Sequence, residues 1–361
     1  MIWLMVVVVA ILLAINFFVL RGEDLKIYDT PRPEPLNEGR EPSQAHFEAI
    51  ASLGDMNTAI QSVSRRQQLA VMREHMDALG EEVEFDGQII AVDIDGIRGE
   101  WILAPGADPD RRLLYIHGGA FVAGSPLSHR AITTEYARRY GGAVFALDYR
   151  LMPEHPRQAG IDDCRAAYRW ILETSPDGPG RASELFVSGD SAGGNLSLSL
   201  SNWVRDQGIT APNGVIALSP ATDNTFASPS LKFNVESDHM LGPLFGKMNR
   251  VPKLLLRLVN LFNNRMPPRH PNVSPVYADL ANLPPTLVHV SAQEMLLDDA
   301  VRYVNKARSQ GSPVELQAWG HMLHVWHIFV LRDMEESAHA FDQIERFMNA
   351  HRSVAGAEAA A

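Results

Sequence analysis

From residue 81 to residue 348 the chain alternates short apolar runs with amphipathic helical stretches. RRLLYIHGG, AVFALDY, GVIALSP, PTLVHVS and VELQAWG read as strands. HRAITTEYARRYGG, DDCRAAYRWILE, DDAVRYVNKARSQG and EESAHAFDQIERFMNA read as helices. Strands that are apolar throughout are buried on both faces. Their alternation with helices predicts an α/β fold with a mostly parallel central sheet and helices on both sides. In such a sheet the functional site lies at the C-terminal ends of the strands.

One of these junctions stands out. In FVSGDSAGGN, Leu185, Phe186 and Val187 close a buried strand, and Leu196, Leu198, Leu200, Trp203 and Val204 follow at helical spacing. Ser191 therefore sits on a sharp strand-to-helix turn. Gly189, Ser191 and Gly193 form G-x-S-x-G, the pattern that exposes a serine oxygen and aims the first helical N–H groups at the same point. The bland alternative is a glycine turn with a helix-capping serine. A hydroxyl is inert without a base, an orienting acid and donors for an oxyanion, so those decide between the two.

Three segments offer them. YIHGGAF places His117, Gly118, Gly119 and Ala120 just after a strand, where consecutive glycines let backbone N–H groups face a cavity. No G-x-x-x-x-G-K-[ST] phosphate loop is present. WGHMLHVWHIF follows the last strand and carries His321, His324 and His327. Spacing alone does not choose the base, and with no H-E-x-x-H there is no case for a metal. HVSAQEMLLDDA carries Glu294, Asp298 and Asp299 after a strand. Asp298 and Asp299 also suit the start of the next helix, where carboxylates complement the dipole.

The net charge is −11, which argues against nucleic-acid binding, and the single cysteine, Cys164, falls in a helical pattern that predicts packing. Ile2 to Leu20 is uncharged. At 1.5 Å per residue it nearly matches a bilayer core of about 30 Å, so residues 1–21 are expected to be an uncleaved transmembrane anchor rather than a signal peptide, with a buried core helix as the third reading. Arg21, Lys26 and Arg32 follow it, which tilts the expectation toward a cytoplasmic catalytic domain. Residues 22–42 read as a proline-rich linker, 43–80 as a helical cap, 81–350 as the catalytic domain and 351–361 as a disordered tail.

Taken together, LLYIHGGAFVAGS, ALDYRLMPEHP, GDSAGGN, LSP, VSPVYADLANLPPTLVHVSAQEMLLDDA and MLHVW resemble the hormone-sensitive-lipase-like branch of the α/β-hydrolases, which includes bacterial carboxylesterases and arylacetamide deacetylases. The resemblance implies an α/β-hydrolase fold with a helical cap, and a serine hydrolase that needs no cofactor and acts on a small-molecule ester. It implies Ser191 as nucleophile, His324 as base and Glu294 as acid, with Asp298 as the reserve. Gly118, Gly119 and Ala192 would donate to the oxyanion, and His117 and Asp190 would support them. Ala120 stands where the family has a third glycine, Glu294 where aspartate is commoner, and Met152, Arg157 and Gln158 depart from YRLAPEHPFP.

A cap insertion is expected at about 223–272. From His239 to Ala278 it has no acid, and Lys253, Arg257 and Arg265 lie on an i+4 register with leucines between them. This predicts a basic amphipathic helix, with either a solvated face or, through Lys253 and Arg257, a contact with membrane lipid and hence hydrophobic or lipid-like ester substrates. An amidase or deacetylase would use the same triad. A non-catalytic receptor on this fold would be expected to lose the histidine that MLHVW retains. The oligomeric state is not legible.

Overall fold

The computed structural model describes residues 2–353 apart from residue 38. The strands of its central sheet are β1 (Gln88–Ile94), β2 (Ile97–Leu103), β3 (Asp108–Ile116), β4 (Gly142–Leu147), β5 (Glu184–Asp190), β6 (Gly214–Leu218), β7 (Thr286–Ser291) and β8 (Val314–Trp319). They form one sheet in the order β1-β2-β4-β3-β5-β6-β7-β8. The two pairings made by β2 are antiparallel and the other five are parallel.

Side chains alternate across this sheet, as the two-residue strand period requires. Leu114, Ile116, Phe145, Val187, Ala217 and Val288 point to one face and pack on α5 (Arg157–Glu173), α6 (Ala192–Asp206) and α10 (Leu297–Ser309). Leu113, Tyr115, Val144, Phe186, Ile216 and Leu287 point to the other and pack on α4 (Arg130–Tyr140) and α11 (Glu335–Ala350). The helices answer with 3.6-period stripes: Ile161, Cys164, Ala167, Tyr168 and Ile171 on α5, and Phe341, Ile344, Phe347 and Met348 on α11. Cys164 is a buried packing residue, as its pattern predicts.

The remaining helices are α1 (Ile2–Ile15), α2 (Gln44–Ser62), α3 (Gln68–Glu81), α7 (Ser230–Phe233), α8 (Leu241–Phe245) and α9 (Lys253–Asn264). Thus 43–80 folds as a helix pair and the 223–272 insertion as three short helices. Residues 351–353 still bond to the domain, Ser353 N–H to Glu184 among them, and the rest of the expected tail lies outside the described residues.

The membrane anchor is overturned. Among the described residues no helix is long and apolar enough to cross a membrane. The apolar run is broken: α1 has 14 residues, about 21 Å. Asn16–Leu20 then forms a π-helical turn, closed by Arg21 N–H to Asn16 O at 2.8 Å. That turn docks on the domain, with Leu20 fully buried and Asn16 Oδ1 accepting from Arg257. The membrane-anchored placement falls with it, including its tilt toward the cytoplasm.

The linker is pinned rather than loose. Arg32, Asp29 and Glu23 pair with Asp298, Arg302 and Lys306, and Asn305 donates to Tyr28 O and Pro31 O, so the segment straps α10. The basic face of α9 is also not what its register suggests. Arg257 turns inward, donating to Thr225 O at 2.9 Å, while Leu255, Val259 and Phe262 face outward. With one of its two cations buried, the α9 face expected to meet lipid is not assembled.

Ile216→Ala, in the middle of β6, should cost about 2–5 kcal/mol through lost burial and a residual cavity. The check is a urea midpoint that falls while the m-value is unchanged.

Candidate active site

The site forms where β3, β5, β6, β7 and β8 end. Ser191 follows β5 directly, with φ 51° and ψ −111°. A non-glycine residue in that region is strained, and it persists because its surroundings hold it. Space explains the flanking glycines: a Cβ on Gly193 would lie 1.9 Å from Ile116 O, and one on Gly189 would lie 2.6 Å from the same oxygen. The turn can press against the end of β3 only without side chains.

His324 Nε2 lies 2.9 Å from Ser191 Oγ, and its Nδ1 lies 3.4 Å from Glu294 Oε2. The structure therefore selects one histidine of three. His327 instead pairs with His289, Nε2 to Nδ1 at 3.0 Å, deep between Trp326 and Phe341. His321 stays partly exposed and touches neither Ser191 nor Glu294 through a hydrogen bond. Asp298, the reserve acid, is committed elsewhere, to Arg32 and to Ser230 N–H. Asp299 accepts from the N–H groups of Thr222 and Asp223.

Burial alone would lower the His324 pKa. The hydrogen bond and charge of Glu294, joined by Asp238 and Asp190, outweigh it and hold the imidazole above its usual value. Burial pushes Glu294 upward, against the pull of His324. Ser219, at the end of β6, joins the two. Its hydroxyl donates to Glu294 Oε2 at 2.8 Å and accepts from Val325 N–H at 3.2 Å, beside His324. Ser219 has φ 48°. Its place in LSP marked it as part of the resemblance, yet nothing in the sequence indicated this bridge.

The glycine loop needs one correction. Gly118, expected as an oxyanion donor, gives its N–H to Asp190 Oδ1 at 2.9 Å and so has no free proton to offer a ligand. Asp190 also accepts from Tyr115 Oη at 2.6 Å and lies 3.4 Å from His129 Nε2. Burial pushes Asp190 up, but His129 and Tyr115 bring it below its usual value, so it stays ionised. Gly119 (φ 105°) and Ala120 (φ 54°) continue the loop, and their N–H groups, like that of Ala192, meet no acceptor among the described residues. Ala120 is thus the position sequence reasoning missed, because it was judged as a substituted glycine rather than as an N–H.

His117 braces the loop. Its Nδ1 lies 2.8 Å from Gly118 O, its ring stacks on Tyr149 at 4.3 Å, and burial lowers its pKa to about 3, so it is neutral. Arg157 sits 3.5 Å over the Phe121 ring and donates to Asn195 Oδ1 at 2.8 Å, filling its departure from the family pattern with a cation–π contact.

A serine hydroxyl bonded to an imidazole that meets a buried carboxylate, on a turn beside unpaired N–H groups, is the geometry of acyl-transfer chemistry. The fold and this site define the class, and the comparisons agree. A sequence profile of the family described as alpha/beta hydrolase fold matches residues 113–328, and the chain belongs to that family. An acetyl-hydrolase from Streptomyces hygroscopicus is 36% identical over 228 residues, 63% of this chain and 72% of its own. An esterase from Acinetobacter venetianus is 36% identical over 242 residues, 67% and 76% of the two chains. Among solved structures, an esterase from the bacterial hormone-sensitive lipase family has TM-score 0.75 at 31% identity, covering 87% of this chain and 100% of that one. An esterase/lipase from an uncultured bacterium has TM-score 0.70 at 35% identity, covering 84% and 99%. The protein is a carboxylic-ester hydrolase of the hormone-sensitive-lipase kind.

Because Glu294 is what raises His324, Glu294→Gln should move the imidazole titration down in pH, since burial then acts with less opposition. NMR titration of the His324 ring measures this; an unmoved midpoint would show that Glu294 does not set it.

Proposed function

We propose that the protein hydrolyses carboxylic esters through a Ser191–His324–Glu294 triad, with an oxyanion hole made by the N–H groups of Gly119, Ala120 and Ala192. The observation that carries this is the unbroken contact from Ser191 Oγ to His324 Nε2 at 2.9 Å, and on from Nδ1 to Glu294. Ser191 Oγ attacks the ester carbonyl as its proton passes to His324 Nε2. The tetrahedral oxyanion gathers the three N–H groups, each such donor being worth about 10²–10³ in rate. Collapse expels the alcohol, which takes the proton from His324. Water then attacks the acyl-enzyme by the same route, its proton going to His324 and returning to Ser191.

Gly118 acts one step behind this set. Its bond to Asp190 fixes the loop so that the next two N–H groups turn toward Ser191. The relatives named acetyl-hydrolase and esterase support ester bonds with a modest acyl group as substrates.

Hydrolysis of p-nitrophenyl esters of increasing acyl length, wild type beside Ser191→Ala, tests the reading and sizes the acyl pocket. Turnover should fall to background in the variant at every length, with the fold intact by circular dichroism. Wild-type turnover in Ser191→Ala would remove Ser191 from the chemistry.

A further inference from the structure

Glu294 is held sideways by little. Its Oε2 has Ser219 at 2.8 Å and His324 at 3.4 Å, and its Oε1 has no partner among the described residues. It is also one methylene longer than aspartate, so its backbone stands farther from His324 and the carboxylate position depends on where that backbone is fixed. The backbone in question is the loop 292–296 between β7 and α10.

Three side chains of the cap insertion occupy that loop's polar groups almost one by one. Asn234 Nδ2 donates to Ala292 O at 3.1 Å and to Glu294 O at 2.9 Å. Ser237 Oγ donates to Gln293 O at 2.9 Å. Asp238 Oδ2 accepts from Met295 N–H at 2.8 Å, while its Oδ1 is fixed by the N–H groups of Met240 and Leu241. Just upstream, Ser230 Oγ donates to Met295 O and accepts from Asp298 N–H, at 2.8 and 2.9 Å. The carbonyls of 292 to 295 are thus bonded to residues 230–237, and the Met295 amide to Asp238.

We propose that residues 230–238 of the cap insertion are the template that positions Glu294, with Asn234 and Asp238 as its positioning residues, so that engagement of Glu294 on His324 depends on the seating of the cap. This rests on the reading of Glu294 as the triad acid. Neither residue touches His324 or Ser191 through a hydrogen bond; each acts through the loop. A cap displaced from the loop would break its bonds to four carbonyls and one amide at once, and the weakest bond in the site, His324 to Glu294, would be the first to lose its geometry. The charged groups facing this pair are Asp238, opposite both, and Asp190, opposite His324.

The test is a double-mutant cycle in the full chain: wild type, Asn234→Leu, Glu294→Gln and the double variant, on one short p-nitrophenyl ester across pH. Asn234→Leu keeps the volume and removes the donor to two carbonyls without adding a charge beside the pair. It should lower kcat about ten-fold with KM within about two-fold, and shift the acid limb of kcat/KM downward as Glu294→Gln does. In the Glu294→Gln background it should add almost nothing, because residues acting as a unit are non-additive. Equal slowing in both backgrounds, or an acid limb that stays put, overturns the proposal. Glu294→Gln with wild-type rate and pH profile would instead sink the triad reading, a separate outcome. Should Asn234→Leu not fold, Ser237→Ala removes a single bond to the loop and should show about a two-fold loss that likewise vanishes with Glu294→Gln; no loss would overturn the proposal.

Discussion

The site depends on one close approach, the turn from β5 into α6 pressed against the end of β3. The carbonyl of Ile116 comes so near Gly189 and Gly193 that neither can carry a side chain, and Ser191 between them is forced to φ 51°. From that contact the rest follows. Asp190 is brought beside the glycine loop, takes the Gly118 N–H, and leaves the next two N–H groups available. The serine oxygen is raised to meet His324. Strain of this kind is stable only where the surroundings are rigid, and the fully buried β3, β5 and β6 ends supply that rigidity.

Around this fixed point, segments far apart in the chain hold the catalytic loops. Arg73 on α3 donates to Val122 O at 2.8 Å and to Met152 O at 3.1 Å, so the N-terminal helix pair supports the glycine loop and the loop after β4. α2 packs Ala49 and Leu53 against Trp319, Met322 and Trp326, beneath the His324 segment. The 22–42 strap ties down α10, whose first residues anchor the root of the insertion. Each loop of the site is therefore held from outside the sheet, and Asn234 and Asp238 bond to the loop that carries Glu294.

The α/β architecture was legible because burial on both faces writes a run of apolar residues for the central parallel strands, while the edge strand β8 alternates, with Glu315 exposed. Ser191 was legible because the glycines its turn demands are local. The bonds that pass through space were less so. Gly118 looked like a donor in its motif, and only the approach of Asp190, 72 residues on, shows where its proton goes. Ser219 carries no sign of its bridge, since its partners lie 75 and 106 residues away. The apolar N-terminus met every rule for a span, yet Asn16 finds Arg257, 241 residues on, and the helix ends there.

Periodicity, turn chemistry and local spacing are short-range properties, and they were enough to establish the sheet, the sharp serine turn and the set of candidate acids and bases. Which of three histidines meets the serine, which carboxylate meets that histidine, which N–H groups remain unpaired and which cation on α9 turns inward were decided by tertiary packing. Those choices depend on which polar groups burial brings within 3–4 Å of each other. A buried donor or acceptor is costly to leave unpaired, so most take the partner that the fold delivers.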